Sequence, residues 1–322
     1  LPQRPWARPL KRCRTLWAVA ALALLAGAAG ANPSPRAAKP RWPAAVDKAL
    51  AQAQVPASAV ALLVVDVSGQ RAPRLSHRAS EAMNPASTIK LVTTYAALDA
   101  LGPDFRWQTR VIMDGRINDG LLEGNMVVRG GGDPKLVVER LQALIGHVHS
   151  SGVRAIKGDI VLDRSAFSDA KADAAAFDGE PLRPYNTQPD ALLINFKSLV
   201  MTFTPDPALG RALVRAEPPL AGVQVDASVP LLRGARCADW RGDLRASIDN
   251  PTQVKFAGTY ASGCGELVWP SAYAEPASYA ARAIEGSWRQ LGGALTGRVR
   301  EATSAELAML RSRGTLSGKT AP

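Results

Sequence analysis

The sequence predicts an α+β protein in which helical segments flank a long, mostly β insertion. An apolar helical pattern follows Ser87, and a second helical pattern runs from residue 277 to 291. Between them, short alternating runs are separated by Gly, Asn and Asp, which is typical of strands and turns. With 322 residues, 47% of them hydrophobic, the chain is too long for one small domain. We therefore expect a domain formed by residues 44–104 and 273–322, and an insertion of one or two sub-lobes at 105–272.

Residues 1–31 are typical of a secretory signal peptide. A basic region without acidic residues is followed by the apolar run Leu16–Ala28 and by a small-residue cleavage pattern. The apolar run is about 13–16 residues long, shorter than the roughly 20 residues that a membrane-spanning helix needs. We therefore expect an exported protein with a Pro-rich linker at residues 32–43, and an uncleaved anchor is the alternative.

The positive charge of the chain limits its partners. The formal net charge is +11, and removal of the five basic residues of the signal peptide leaves +6. This charge suits work near an anionic membrane or cell-wall polymer, so peripheral membrane association is one expectation and an ordinary exposed surface is the alternative. The sequence has no nucleic-acid-binding motif and no interleaved basic and aromatic stripe, which argues against nucleic acid. Nothing in it indicates an oligomeric state.

Two cysteines, Cys237 and Cys264, remain once the signal peptide is removed. An exported chain meets an oxidising compartment, so this even count favours one disulfide, with two free buried thiols as the alternative. The histidines are His77, His147 and His149, and the last two end a helical stretch where a solvated helix end is expected. We therefore expect no metal and no cofactor.

The segment before residue 105 predicts two helices around a strand pair. In order, its elements are a helix at Ala44–Gln54, a strand at Val60–Val67, a turn at Ser68–Gln70, a returning strand at Arg74–Ala82 and a helix opened by Pro85. The apolar positions of the second helix, between Ile89 and Leu101, occupy most of its circumference. Because a helix of this kind is typically buried, we expect it inside the domain.

The segment after residue 105 predicts mainly short strands. The expected strands are Arg106–Met113, Gly124–Arg129, Asp159–Asp163, Leu192–Thr204, Val223–Val229 and Thr252–Thr259. One helix near Leu136–His147 interrupts them. After the helix at 277–291, the pattern predicts a strand at Leu295–Val299 and a polar helix at Ala302–Arg313.

Ser87 and Lys90 form a Ser-x-x-Lys motif at the start of the second helix. A serine hydroxyl is a weak nucleophile, and a neighbouring neutral amine can activate it by taking its proton. Residues i and i+3 share a helix face, so the Lys90 amine should reach the Ser87 hydroxyl. Burial favours the neutral amine, and the helix N-terminus favours a developing oxyanion. The alternative is that Ser87 is a helix cap and Lys90 an exposed charge.

A second Ser-x-x-Lys occurs at Ser168 and Lys171. It lies in an Ala- and Asp-rich polar stretch that should be a loop, where nothing would remove water from the lysine. The context of Ser87, a strand pair followed by a proline and an apolar helix, therefore favours Ser87 as the nucleophile.

The order of motifs resembles the penicillin-binding D-alanyl-D-alanine carboxypeptidases, and more narrowly the penicillin-binding protein 4 type of low molecular mass class C. The motifs are Pro85-Ala86-Ser87-Thr88-Ile89-Lys90, Leu122–Asn125, Gly132–Leu136, Ile156–Asp163 and the Cys237/Cys264 pair. The resemblance covers roughly residues 44–300.

This resemblance implies a β-lactamase/transpeptidase-like domain, an antiparallel sheet flanked by helices, in the periplasm. It implies a serine D-Ala-D-Ala carboxypeptidase/endopeptidase that cleaves peptidoglycan stem peptides and crosslinks through an acyl-enzyme. Ser87 would be the nucleophile and Lys90 the general base, and β-lactams would acylate Ser87 as covalent inhibitors. Asp178 and Glu180 are the candidates for an acidic residue that contacts the diaminopimelate side chain, and either could be a solvated loop carboxylate.

The chain also departs from this family. Ser247-Ile248-Asp249-Asn250 has the wrong spacing for the family's Ser-x-Asn motif, and the only near match to Lys-Thr-Gly is Lys319-Thr320-Ala321. We therefore expect the C-terminal part of the catalytic domain to be missing and this chain to have reduced or no enzymatic activity. The alternatives are an inactive homologue that binds cell-wall peptide or a partner protein, and a serine β-lactamase, against which the large insertion argues.

Overall fold

The structure, a computed structural model, describes residues 42–168 and 173–312 in two units divided at residue 100. We call residues 42–100 the N-terminal unit and the described residues from 101 onward the C-terminal unit. The predicted signal peptide, most of the Pro-rich linker and residues 313–322 lie outside the described residues. Within the described ranges, no helix is long and apolar enough to cross a bilayer.

The N-terminal unit has the elements that the sequence predicts, with shorter strands. Its elements are the helix α1 (Ala44–Gln52), the strands β1 (Leu62–Val64) and β2 (Leu75–His77), and the helix α2 (Ile89–Leu101). β1 and β2 pair antiparallel, with Leu62 opposite His77. In the turn between them, the Asp66 carboxylate accepts the Ser68 N–H at 3.0 Å and Gly69 adopts a left-handed backbone. The predicted turn is thus confirmed.

The surface of α2 differs from the prediction. No residue of α2 is buried, and its side chains Leu91 and Tyr95 are 74% and 71% exposed. Leu63 and Val64 of β1 are exposed as well. The prediction of a buried helix is therefore wrong for the described residues. The physical reason is that the rest of residues 42–100, namely α1, one short strand pair and the 3-10 turns Ala57–Ala59 and Ala86–Thr88, offers too little apolar surface to cover α2.

The C-terminal unit consists mainly of short strands, as the sequence predicts. Its strands and helices, in chain order, are β3 (Arg110–Asn118), β4 (Leu121–Arg129), α3 (Val138–Ser150), β5 (Ala155–Ile156), β6 (Ile160–Asp163), β7 (Ser198–Asp206), β8 (Arg211–Glu217), β9 (Gln224–Val225), β10 (Ser228–Leu232), α4 (Trp240–Leu244), β11 (Ala246–Ser247), β12 (Gln253–Phe256), β13 (Tyr260–Ala261), β14 (Leu267–Ala272), α5 (Tyr279–Gln290), β15 (Ala294–Leu295), β16 (Val299–Glu301) and α6 (Ser304–Ser312). Short 3-10 turns lie at Pro184–Asn186, Ile194–Lys197 and Ser262–Cys264.

The first sheet of the C-terminal unit is largely parallel. Its strand order is β15-β5-β4-β6-β16, and β3 pairs with β4. The neighbours are parallel except β3 and β4, which form an antiparallel ladder. Gly115 and Gly124 are opposite each other there, and a Cβ at Gly124 would lie 2.0 Å from the Asp114 carbonyl oxygen, so only glycine fits. Parallel strands need crossover connections. Helix α3 supplies the connection from β4 to β5, and the long connection from β6 to β15, which contains β7–β14, ends in α5.

One core cluster joins these helices to the first sheet. Leu141 and Ile145 of α3 and Ile284 and Trp288 of α5 are fully buried, in the same cluster as side chains of β4 and β6. Trp288 also donates its indole N–H to the Ala294 carbonyl at 3.0 Å. Every residue of β6 is buried, as expected for an interior strand that lies between β4 and β16.

A second sheet carries an aromatic core. Its strand order is β13-β10-β8-β7-β14, antiparallel except for the β10–β13 pair. Phe203 of β7 stacks on Tyr260 at 5.6 Å between ring centroids and meets Trp240 and Phe256 edge to face. The strands of a smaller sheet, β11-β12-β9, alternate along the chain with strands of the second sheet. The aromatic packing therefore ties α4, β12 and β13 to the second sheet.

The predicted disulfide is confirmed. The Sγ atoms of Cys237 and Cys264 are 2.02 Å apart, and the bond joins positions separated by 27 residues. It links the segment before α4 to the 3-10 turn after β13. Closing such a loop stabilises a folded protein by about 3 kcal/mol, mainly by restricting the unfolded chain.

Three predicted strands do not form as single strands. The one expected at Val223–Val229 is divided into β9 and β10, which belong to different sheets. The strand expected at Leu192–Thr204 is a 3-10 turn followed by β7, because residues 195–197 adopt left-handed backbone angles. The strand expected at Leu295–Val299 is divided into β15 and β16, which pair with different neighbours. Gly297 lies between them, where a Cβ would come within 2.3 Å of the Gly158 carbonyl oxygen. Local sequence pattern does not contain either constraint.

The segment after residue 272 joins the first sheet. β15 pairs with β5 and β16 pairs with β6, both in parallel. Residues on both sides of the expected boundary at 272 therefore lie in the C-terminal unit. The assignment of residues 273–322 to a second part of the first domain stays a prediction that this pairing does not support.

We expect Trp288→Ala to lower the free energy of unfolding of the C-terminal unit by about 3–5 kcal/mol, because it removes the largest buried side chain and leaves a cavity. Urea unfolding followed by circular dichroism measures the loss. The matched control is Trp107→Ala, since Trp107 is 44% exposed and should cost about 1 kcal/mol or less. Equal losses in both variants would contradict the packing described above.

Candidate active site

The side chains of Ser87 and Lys90 are in contact. Ser87 lies in the 3-10 turn Ala86–Thr88, and Lys90 lies in the first turn of α2. The Lys90 Nζ donates a hydrogen bond to the Ser87 Oγ at 3.0 Å. The expected i, i+3 contact is thus confirmed, whereas the catalytic roles of the two residues stay a prediction.

The turn that carries Ser87 is held by local hydrogen bonds. The Asn84 Oδ1 accepts the Ala86 N–H at 2.9 Å, and the Pro85 carbonyl accepts the Thr88 N–H at 3.0 Å. Ala86 has a φ of +43°, a left-handed conformation that costs a non-glycine residue on the order of 1 kcal/mol. A strained residue directly before a candidate nucleophile indicates a turn that the neighbouring contacts keep in one conformation.

Ser87 and Lys90 are both exposed. The water-excluded environment that the sequence analysis expected around the lysine is therefore not formed by the described residues. A groove of about 740 Å³ exists in the N-terminal unit, lined by Trp42, Leu62 and Leu75 among others, and neither Ser87 nor Lys90 lines it.

The Asp178 carboxylate is organised by three donors of its own loop. Its Oδ1 accepts the Glu180 N–H at 3.0 Å and the Asn186 Nδ2 at 2.7 Å, and its Oδ2 accepts the Tyr185 hydroxyl at 2.7 Å. The Tyr185 hydrogen bond, followed by those of Glu180 and Asn186, holds the pKa of Asp178 below its ordinary value. The same contact raises the pKa of Tyr185. Asp178 is therefore an exposed but preorganised carboxylate.

Glu180 is arranged more loosely. Its Oε2 lies 3.4 Å from the Nε of Arg183, an exposed pair three residues along the chain. Such pairs contribute little to stability. Of the two acidic candidates, Asp178 has the more defined geometry.

Other motifs of the sequence lie in ordinary structural contacts. Ser168 is exposed, and Lys171 lies outside the described residues. The Ser247 hydroxyl donates to Asp249, and Asn250 accepts the Thr252 N–H, so that segment is a local turn. In the described ranges, no group of three His, Cys, Asp or Glu side chains is placed to hold a metal ion.

Sequence reasoning missed a buried charge cluster. The Asp190 carboxylate lies 2.8 Å from the Lys197 Nζ and 2.8 Å from the Arg164 Nη1, and it accepts the Leu192 N–H at 2.9 Å. Burial opposes ionisation of Asp190, but these partners outweigh it and hold its pKa below the ordinary value. Arg164 is 26 positions before Asp190 and 33 positions before Lys197, so no local pattern reveals this cluster.

This chain is similar to known D-Ala-D-Ala carboxypeptidases. The model of the D-Ala-D-Ala carboxypeptidase 3 (S13) family matches residues 43–313. The chain is 29% identical over 223 residues to the D-alanyl-D-alanine carboxypeptidase DacB of Haemophilus influenzae, covering 69% of this chain and 46% of that protein. It is 34% identical over 120 residues to a D-alanyl-D-alanine carboxypeptidase of Actinomadura sp. strain R39, covering 37% of this chain and 22% of the relative.

The α+β fold resembles that of a solved relative. The crystal structure of penicillin binding protein 4 (dacB) from Haemophilus influenzae aligns with a TM-score of 0.55 and 25% identity, covering 75% of this chain and 53% of that chain. The chain thus spans about half the length, or less, of the relatives that it matches. These matches confirm the family resemblance that the motifs indicate.

We expect Tyr185→Phe to raise the pKa of Asp178 toward the ordinary aspartate value. The phenol hydroxyl donates a hydrogen bond that is stronger to the charged carboxylate than to the protonated one, so its removal destabilises the ionised form. A pH titration of carboxyl ¹³C resonances measures the change. Tyr95→Phe is the control, because Tyr95 lies in α2 of the N-terminal unit and should leave the Asp178 titration unchanged. An unchanged Asp178 titration in Tyr185→Phe would show that this hydrogen bond is absent in solution.

Proposed function

Because the chain belongs to the D-Ala-D-Ala carboxypeptidase 3 (S13) family, we propose that it acts as a serine D-Ala-D-Ala carboxypeptidase/endopeptidase on peptidoglycan stem peptides and crosslinks. The observation that carries this proposal is the 3.0 Å contact between the Lys90 Nζ and the Ser87 Oγ at the start of α2. A serine paired with an amine at this distance has the geometry of an activated nucleophile.

The proposed first step is attack on the peptide bond before a terminal D-alanine. The Ser87 Oγ bonds to the carbonyl carbon while its proton passes to the neutral amine of Lys90. The C–N bond then breaks, and the leaving amine takes up the proton. An acyl-enzyme on Ser87 results, and water releases it in a second step of the same kind.

The start of α2 is placed to stabilise the negative charge that develops in this step. Negative charge appears on the carbonyl oxygen during attack, and backbone N–H groups at a helix N-terminus stabilise such an oxyanion. The Ser87 N–H is the proposed first donor. The hydrogen bonds of Asn84 and Pro85 keep the turn with its left-handed Ala86 in one conformation, which lowers the reorganisation needed at the moment of reaction.

Asp178 is the residue that we propose for binding the ammonium group of the diaminopimelate side chain. A carboxylate has about four acceptor sites. Three of them are used by Glu180, Tyr185 and Asn186, which leaves a site on Oδ2 for a cationic donor. Its lowered pKa keeps the carboxylate charged at neutral pH, as this contact requires.

The proposed location is the periplasm. The disulfide between Cys237 and Cys264 fits an oxidising compartment, and the positive net charge fits work close to anionic cell-wall polymer. β-Lactams are the proposed covalent inhibitors, since they would acylate Ser87 in the same way as substrate.

A second candidate function is binding of cell-wall peptide without turnover. The exposure of Ser87 and Lys90 favours it, because a solvated lysine is a poor general base. In this case the Asp178 loop would bind peptide and Ser87 would not be acylated.

Labelled penicillin distinguishes these functions. We expect intact-mass spectrometry to detect one covalent adduct, which peptide mapping places on Ser87. Ser87→Ala should abolish the adduct, and Lys90→Met should slow its formation by on the order of 10²-fold or more, since it removes the general base. Ser168→Ala is the matched control and should be acylated like the unsubstituted chain.

The other outcomes assign the alternatives. A folded chain that takes up no label but binds muropeptides would reject the enzyme and favour the second function. Rapid turnover of a chromogenic β-lactam, with no lasting adduct, would instead identify a serine β-lactamase.

A further inference from the structure

Arg164 and Asp190 lie at the two ends of the segment that carries Asp178, and they form a buried ion pair. The Arg164 Nη1 is 2.8 Å from the Asp190 Oδ2, and their side chains are 20% and 5% exposed. Arg164 directly follows β6, so this contact holds Arg164 and Asp190, the two ends of the segment, together next to the end of β6.

Lys197 adds a third charge to this pair. Its Nζ lies 2.8 Å from the same Asp190 oxygen, and its side chain is 9% exposed. Lys197 ends a run of three left-handed residues, with φ values of +43° at Asn195, +52° at Phe196 and +48° at Lys197. Left-handed backbone is unfavourable for such residues and persists only where contacts determine it. The left-handed turn therefore places the Lys197 ammonium group next to the Asp190 carboxylate.

Further contacts connect this cluster to the second sheet and to α5. The Lys197 carbonyl accepts the Tyr273 N–H at 2.8 Å, just after β14. The Leu182 carbonyl, four residues past Asp178, accepts the Ala272 N–H at 2.9 Å. The Arg164 Nη2 reaches the Ala277 carbonyl at 3.4 Å, just before α5. The segment with Asp178 is thus held at its base and at Leu182.

A buried ion pair is weak support for a role in stability. The cost of removing charges from water can exceed their attraction, and apolar residues often replace such pairs without loss. Buried charges do define geometry, because each needs its partner in one position. The arrangement therefore suits the positioning of a loop better than the stabilisation of a core.

We propose that Asp190, Lys197 and Arg164, which we call the neck cluster, position the Asp178 carboxylate for a cationic side chain of the bound peptide. This inference rests on the proposed function in one respect, namely that Asp178 binds that cation. The neck residues are positioning residues, because they act through the loop rather than on the peptide.

Hydrogen exchange tests the positioning without any substrate. We expect Lys197→Met to speed amide exchange by about tenfold in peptides that cover residues 178–186, because the loop loses its anchor. Exchange in α3 and α5 should stay within twofold of the unsubstituted chain. Lys255→Met, the same substitution at an exposed position of β12, should change neither region.

A second variant covers the case that Lys197→Met does not fold. Arg164→Met removes the less buried cation and should also speed exchange of residues 178–186, together with exchange near its other partners Ala277 and Glu301, but not in α3. Lys197→Arg, which keeps the charge, should restore most of the protection. Unchanged exchange in the folded variants, or an equal rise throughout the C-terminal unit, would overturn the proposal.

Binding of two peptides tests the consequence for recognition. The probes are a D-Ala-D-Ala pentapeptide with diaminopimelate at its third position and the same peptide with alanine there. We expect the unsubstituted chain to prefer the first by about fivefold, the upper range for one exposed charge pair. Asp178→Asn and Lys197→Met should each remove this preference, and the double variant should lose no more than either single one.

The outcomes separate the two proposals. If the unsubstituted chain shows no preference, then the proposed role of Asp178 fails, while the exchange data still decide whether the neck cluster orders the loop. If Lys197→Met keeps the full preference while Asp178→Asn loses it, then the neck cluster does not position Asp178. Acylation of Ser87 by penicillin is measured separately and depends on neither result.

Discussion

The parallel pairing of β6 between β4 and β16 is the constraint on which the C-terminal unit depends. Parallel neighbours cannot be joined by tight turns, so the chain must cross over the sheet twice, through α3 and through α5. These crossovers bury Trp288 and Leu141 over the sheet and account for the wholly buried β6. They also place the ends of β6 and β16 side by side, where Arg164, directly after β6, forms an ion pair with Glu301, the last residue of β16. The position of Arg164 in the neck cluster is therefore a consequence of the sheet order rather than of any local motif.

The two units differ in how far their apolar surfaces are covered. In the C-terminal unit, the sheets, the helices and the disulfide enclose one continuous core. In the N-terminal unit, α2 and β1 present apolar side chains to solvent, and Ser87 and Lys90 are exposed with them. The serine–lysine contact forms nevertheless, because it depends on one helical turn and on the hydrogen bonds of Asn84 and Pro85. Residues 84–90 are thus enough to define the geometry of the nucleophile. The water-excluded environment that would activate it depends on side chains from elsewhere in the chain.

The same distinction explains what could be predicted. The helices α1, α2, α3 and α5, the turn after β1 and the disulfide followed from residue periodicity, turn residues and cysteine count. The Ser87–Lys90 contact followed from helix geometry.

The burial of α2 was predicted wrongly, because periodicity describes which side chains are apolar and not which element covers them. Asp190, Lys197 and Arg164 were not found, since a single Asp, Lys and Arg spread over 33 positions give no sequence signal. Asp178 was a candidate from the family resemblance, but its donors Tyr185 and Asn186 were visible only in three dimensions.

The family, the positions of the main helices and the pairing of serine with lysine follow from the amino-acid sequence, because each depends on residues close together in the chain or on an ordered series of motifs. The pairing of β15 and β16 with the sheet of β4 and β6, and the left-handed turn at residues 195–197 in place of a strand, are apparent in three dimensions and not from the sequence. Strand pairing and buried ion pairs join residues that are far apart in the chain, and their free energy depends on the partner's position. A local pattern carries no information about that position.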